Sequence, residues 1–164
     1  MIIVGVIHKT GLFEFLAIKA IKKAKGEPKR ALVFLIILTA VASAILDNVT
    51  TILLAVPMTL VVCKQLNVSP VPFILSQVFA SNIGGASTLV GDPPNIIIAS
   101  RANLSFNDFL IHMAPWVIVV MMVITPMLIF MFRKELVNSA ADRARIDKLD
   151  EKSYLKDKVL LKKS

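Results

Sequence analysis

The chain alternates long apolar runs with short polar interruptions. Residues 31 to 63 form an apolar run interrupted only by Asp47 and Asn48 near its middle. Residues 68 to 91 form a second, uncharged run, broken by Gly84, Gly85 and Gly91 and followed by Asp92, Pro93, Pro94 and Asn95. A third, Phe109 to Phe132, follows Asn107 and Asp108 and contains Pro126. Runs of about 20 apolar residues are what a helix needs to cross a bilayer. The pattern therefore predicts an all-α integral membrane protein, with a helical hairpin over 31–63, a broken transmembrane helix over 68–101, and a transmembrane helix over 106–132 kinked at Pro126. From Thr10 to Lys25, Leu12, Phe13, Leu16, Ala17, Ala20, Ile21 and Ala24 recur at helical spacing with lysines between them. That stretch predicts an interfacial amphipathic helix over 10–25, ended by Gly26 and Pro28, with an ordinary connector as the alternative. Met1 to Ile7 lacks signal-peptide anatomy and reads as the tail of a span. Residues 1–134 are thus a membrane domain and 135–164 a charged loop.

Composition agrees. Of 164 residues, 56% are hydrophobic and 18% charged, with a mean hydropathy of +0.75, which excludes a water-soluble globule. The single cysteine, Cys63, excludes an internal disulfide, and no Cys/His spacing suggests zinc. Nucleophile–base pairs and phosphate loops are missing too, so no enzyme is expected. The net charge of +8 reports topology rather than nucleic-acid binding.

Six positive residues cluster just before the first run, Lys19, Lys22, Lys23, Lys25, Lys29 and Arg30, and ten lie from Arg133 onward. If both clusters are cytoplasmic, an even number of crossings separates them, whereas three runs crossing once each give an odd number. One run must turn back. The first is divided by its polar centre into arms of roughly 16 residues, each reaching roughly 24 Å against a hydrocarbon core of roughly 30 Å, which favours a re-entrant hairpin. Two complete crossings by those arms would also satisfy the parity. The expected location is the cell membrane, multi-pass, with basic loops cytoplasmic.

Polar, helix-breaking sequence thus sits at bilayer depth in two places, Ser43 to Thr51 and Ser81 to Asn95. Irregular backbone is tolerated there only against protein or a watery cavity, because each unsatisfied peptide group costs several kcal/mol in lipid. Two such breaks imply one polar pocket, the arrangement by which secondary transporters hold substrate and coupling ion. Asp47 and Asn48 occupy the hairpin turn, with Thr50 and Thr51 following. Their plainer role is helix capping, yet an intramembrane carboxylate is by default a functional candidate. Asp92, before Pro93, reads first as a cap. Gly84 and Gly85 let the backbone leave helical geometry and expose carbonyls, while Ser81, Asn82, Ser87, Thr88 and Asn95 add side-chain groups. Close helix packing is the plainer role of the glycine pair. His112 with Trp116 reads as interfacial, and the methionines as packing residues.

The stretch from Leu46 to Thr51, Pro57, and the stretch from Ser81 through Gly-Asp-Pro-Pro-Asn95 resemble the ion transporter superfamily. This superfamily includes arsenite permeases, sodium/proton antiporter relatives, citrate and dicarboxylate carriers and the melanosomal P protein, and the P-protein and arsenite-permease branch is the nearest in pattern. The resemblance covers roughly residues 11 to 132. It implies an inverted-repeat secondary transporter of which residues 1–134 are a partial, citrate-transporter-like domain, one repeat at most. Each repeat then supplies a re-entrant hairpin and a broken helix whose tips meet at an ion site. In the sodium-coupled carboxylate branch, hairpin hydroxyls and an asparagine join a broken-helix glycine carbonyl around sodium. Here Ser43, Asn48, Gly84 and Gly85 match, whereas Asp47 and Val49 replace the remaining tip residues, which weighs against a dicarboxylate cargo.

The resulting expectation is a secondary active transporter, or half of one, that moves an inorganic or small organic anion, Na+ or H+ through a mid-membrane site. Its site residues are Ser43, Asp47, Asn48, Thr50, Thr51, Ser81, Asn82, Gly84, Gly85, Ser87, Thr88, Asp92 and Asn95. No cofactor is expected beyond Na+ or H+ as coupling ion. The expected partners are the lipid bilayer, a small ion substrate, and a second repeat or partner chain, including a homodimer. A non-transporting assembly module and an anion channel are the rival readings.

Overall fold

The computed structural model describes residue 24 and residues 26–136. The interfacial helix expected over 10–25 and the charged loop expected over 135–164 lie almost wholly outside them. The described residues form five α-helices joined by turns, with no strand among them. Helix α1 spans Pro28–Ile45, α2 Asn48–Leu66, α3 Val71–Gly85, α4 Pro93–Ala102 and α5 Phe106–Met131.

Local sequence sets these boundaries. Pro28 opens α1 at a position where its missing N–H costs nothing. Leu46 and Asp47 are extended, and Asp47 Oδ1 accepts the Thr50 N–H at 2.8 Å to start α2. Asn67 and Asn103 close α2 and α4 in the left-handed conformation that asparagine tolerates, with φ of 54° and 52°. Ser105 and Asp108 form a reciprocal capping box at the head of α5. The hydrophobic pattern marked the breaks correctly but shortened the hairpin arms. They have 18 and 19 residues, about 27 and 28 Å, because both helices continue through the charges at their outer ends. Arm length therefore no longer favours a re-entrant hairpin over two crossings.

Helices α1, α2 and α5 are long and apolar enough to cross a membrane. The broadest packing is α1 against α3, with α2 laid over both. The core joins Leu32, Leu35 and Ile36 of α1 to Met58, Val62, Cys63 and Leu66 of α2 and Phe73 and Ala80 of α3. It also includes Ala24, Leu128 near the end of α5, and Leu136. This shared cluster brings the start of α1 and the ends of α2 and α5 together, so Lys29, Arg30, Lys64, Arg133 and Lys134 gather at one end of the bundle. The outer surface is apolar: Val41, Ile45, Ile97, Trp116, Met122 and Phe130 are all exposed. An exterior of this kind suits lipid, not water.

Candidate ion-binding site at the two helix breaks

The break between α1 and α2 and the break between α3 and α4 meet. Ser43, one turn before the end of α1, is fully buried, and its Oγ donates to the Ser81 carbonyl at 2.7 Å. It stands 3.3 Å from Ser81 Oγ, which in turn donates to the Asn48 carbonyl at 3.0 Å. Asn48 Nδ2 donates to Asn82 Oδ1 at 3.3 Å, and Asn82 Nδ2 donates to Val78 O at 2.8 Å. Hairpin and broken helix are thus joined at their polar centres.

The connection from α3 to α4 folds back over the end of α1. Thr88 Oγ1 donates to the Ala44 carbonyl at 2.6 Å and accepts the Gly91 N–H at 3.1 Å. Asn95, in the first turn of α4, donates from one amide nitrogen to Gly85 O at 3.2 Å and to Thr88 O at 2.8 Å. Ser87 Oγ donates to Gly84 O at 2.6 Å. The Ala44 and Gly85 carbonyls, at the ends of α1 and α3, gain partners in this way, and Gly84 O also accepts the Ser87 N–H at 3.0 Å.

The glycines are needed for close approach rather than for unusual backbone angles, since among described glycines only Gly26 has positive φ. A Cβ on Gly84 would lie 2.6 Å from Ala40 Cα. A Cβ on Gly91 would meet Ser43 O at 2.6 Å, and one on Gly85 would meet Gly91 O at 2.7 Å. Gly84 itself remains helical, so its close-packing role is the one realised.

The expected residues therefore separate into groups. Ser43, Asn48, Ser81 and Asn82 form the joint, and Gly84, Gly85, Ser87, Thr88 and Asn95 build the wall beside it. Asp47 lies half-buried at the joint, but its hydrogen bond is local, to Thr50 N–H. Asp92 occupies the cap position of α4, yet its carboxylate makes no cap bond, contrary to the capping role its sequence position suggests. Thr50 follows on α2, and Thr51 is buried with its Oγ1 unpartnered. One buried pair escaped the sequence reading. Thr59 Oγ1 donates to Ala55 O at 2.9 Å and lies 2.7 Å from Gln77 Oε1, with Gln77 Nε2 and the nearby Ser76 Oγ unpartnered. Its one signal was Gln77, an amide inside an otherwise apolar stretch of α3.

Two helices end and two begin at this joint. The carbonyl ends of α1 and α3 carry partial negative charge, and the N-terminal ends of α2 and α4 partial positive charge. Asp47 and Asp92 sit on both positive ends of the joint and offset them. Its oxygens, from serine hydroxyls, asparagine amides and peptide carbonyls, are hard ligands suited to a hard cation. A cavity of about 300 Å³ opens beside them, walled by Asn48, Asn82, Ser81, Val49, Leu53 and Val78.

Comparison with known proteins fits this geometry. A family profile described as citrate transporter matches residues 1–164. An uncharacterized transporter of Mycobacterium tuberculosis (strain H37Rv) is 52% identical over 164 residues, covering 99% of this chain and 38% of the relative. A 46 kDa membrane protein of Mycobacterium leprae is 52% identical over 161 residues, 98% of this chain and 38% of that protein. The human P protein is 40% identical over 133 residues, 78% of this chain and 16% of its own length. The chain thus spans about two fifths of the mycobacterial relatives. With its three helices of spanning length, it is a multi-pass membrane protein.

Proposed function

The chain belongs to the citrate transporter family, and from that premise we propose that it forms the ion-binding half of a secondary active transporter working by alternating access. The observation that carries this reading is the hydrogen-bonded joint between two helix breaks, Ser43 to Ser81 to Asn48. Helix α3 reaches it at its eleventh residue, Ser81, about 15 Å from the basic end of the bundle, so a joint at that level lies within a core of about 30 Å. On this reading the hairpin is re-entrant, the basic end faces the cytoplasm, and α3 and α4 together make one broken crossing in the cell membrane.

Na+ or H+ is the occupant at this half-site. Ser43, Asn48, Gly84 and Gly85 supply oxygens around it, and Asp47 supplies negative charge at the head of α2. An inorganic or small organic anion, if it is the cargo, uses the neighbouring cavity at Asn48 and Asn82 together with residues of a second repeat or a partner chain. The test is Asp47→Asn in the full-length protein, with uptake into proteoliposomes followed across sodium concentration and pH. Asparagine keeps the cap. Uptake should lose its dependence on the coupling cation, while unchanged kinetics would reduce Asp47 to a cap.

A further inference from the structure

A groove runs between α1 and α5, from the basic end of the bundle to Gly84 and Ser87 on the outer side of the joint. At the basic end it is a cavity of about 640 Å³ walled by Val33, Phe34, Ile37 and Ile129, with Lys29 and Arg30 at its mouth. Ile37 also walls a second cavity of about 540 Å³, which continues past Val41 to Ala44 and faces Val117 and Ile118 of α5. The two form one channel along α1, apolar inside and basic at one end.

We propose that this groove binds an anionic phospholipid, its phosphate on Lys29 and Arg30 and its hydrocarbon laid along α1. Charge supports this first. Both residues are exposed in the first turn of α1, and Arg133 and Lys134 lie at the same end. Arg30 pairs through Nε with Glu27 at 2.8 Å. Basic pockets between transmembrane helices on one side of a bilayer are suited to anionic headgroups.

Length agrees. From Lys29 to Ala44 is fifteen residues, about 22 Å, room for a chain that spans the roughly 15 Å one leaflet contributes to the hydrocarbon core. The groove is also open sideways: Ile37, Val41, Ile118 and Met122 are more than half exposed.

The test reconstitutes the chain in phosphatidylcholine bilayers holding traces of spin-labelled phosphatidylglycerol or phosphatidylcholine, and reads the motionally restricted fraction of each. Two basic residues at about fivefold each predict a preference of about 25-fold for phosphatidylglycerol. That preference should fall toward unity in K29Q/R30Q and in salt of about 0.5 M. Ile37→Trp plugs the throat between the cavities and should lower bound phosphatidylglycerol while leaving both charges in place. Equal restriction of the two lipids, selectivity that survives K29Q/R30Q, or unchanged binding in Ile37→Trp would overturn the proposal. Efficient cross-linking between copies through cysteines introduced at 41 and 118, regardless of lipid, would overturn it in favour of a second copy in the groove.

Discussion

Replacing Gly84 with alanine should destabilise the fold even though alanine is the better helix former. The new Cβ would stand 2.6 Å from Ala40 Cα and 2.8 Å from Ala40 C. Carbon atoms pack best at about 3.5–4.0 Å, so the shortfall is about 1 Å. Both neighbours are backbone, and no rotamer change relieves them. Helices α1 and α3 must then part by roughly that distance at the level of the joint. The Ser43–Ser81 bond, now 2.7 Å, and the Thr88–Ala44 bond, now 2.6 Å, would both pass the limit of useful hydrogen bonding. Overpacking costs about 1–3 kcal/mol and each lost hydrogen bond about 1 kcal/mol, against a gain of up to about 1 kcal/mol from helix propensity. The net loss is about 2–4 kcal/mol, at least a thirtyfold fall in the folded-to-unfolded ratio.

The measurement is reversible unfolding of the chain in mixed micelles, titrated with denaturing detergent and followed by circular dichroism. A second variant sharpens it. Because the clash is with the Ala40 backbone, G84A/A40G should remain as unstable as Gly84→Ala alone. If Gly84→Ala is as stable as the parent, or more stable as propensity alone dictates, or if Ala40→Gly rescues it, the backbone contact between α1 and α3 is refuted.

Asn95→Asp should cost more than Asn95→Ala, itself about 1–3 kcal/mol, because it sets a carboxylate against the carbonyls of Gly85 and Thr88 that now accept from the amide; the same unfolding titration ranks them, and faster hydrogen exchange at Gly91 should accompany both. Thr59→Val should cost about 1–3 kcal/mol by leaving the buried Gln77 amide without its partner, whereas T59V/Q77L removes both groups and should unfold close to the parent. On the proposed reading, Ser43→Ala in the full-length protein should raise half-saturating sodium about tenfold, equivalent to about 1.4 kcal/mol, with maximal uptake retained; unchanged sodium dependence would remove Ser43 from the proposed ion site.

The positions of both breaks were legible because a polar residue or proline inside a long apolar run has few stable places in lipid. Asp47 and the stretch from Gly84 to Asn95 announced themselves in that way. The helix ends were less legible, since hydropathy stops at Arg30 and Lys64 while the hydrogen-bonded backbone continues past them. Nor could composition distinguish a glycine that frees the backbone from one that admits a neighbour. Gly84 is the second kind, and only the position of Ala40 reveals it. Thr59 and Gln77 were missed because isolated polar side chains on separate helices carry no shared spacing. Asp92 misled for the opposite reason: its place before two prolines specifies a cap, but the carboxylate makes no cap bond.

Neither break is stable in lipid by itself, and this mutual dependence restricts what the joint can bind. The end of α1 leaves carbonyls exposed, and Thr88 covers the one at Ala44. The end of α3 leaves those of Gly84 and Gly85, which Ser87 and Asn95 cover. Ser81 closes on Asn48, and Ser43 on Ser81. Most donors at the joint are therefore committed to the chain's own oxygens. The Gly84 carbonyl takes two of them, the Ser87 N–H and Oγ–H, whereas the Gly85 carbonyl and the hydroxyl oxygens of Ser43 and Ser81 keep lone pairs. An anion needs donors and finds few. The cation of the proposed reading needs lone pairs and has these, with the charge of Asp47 close behind. On the proposed reading, the hydrogen bonds that join the two breaks thus also favour a cation over an anion between them.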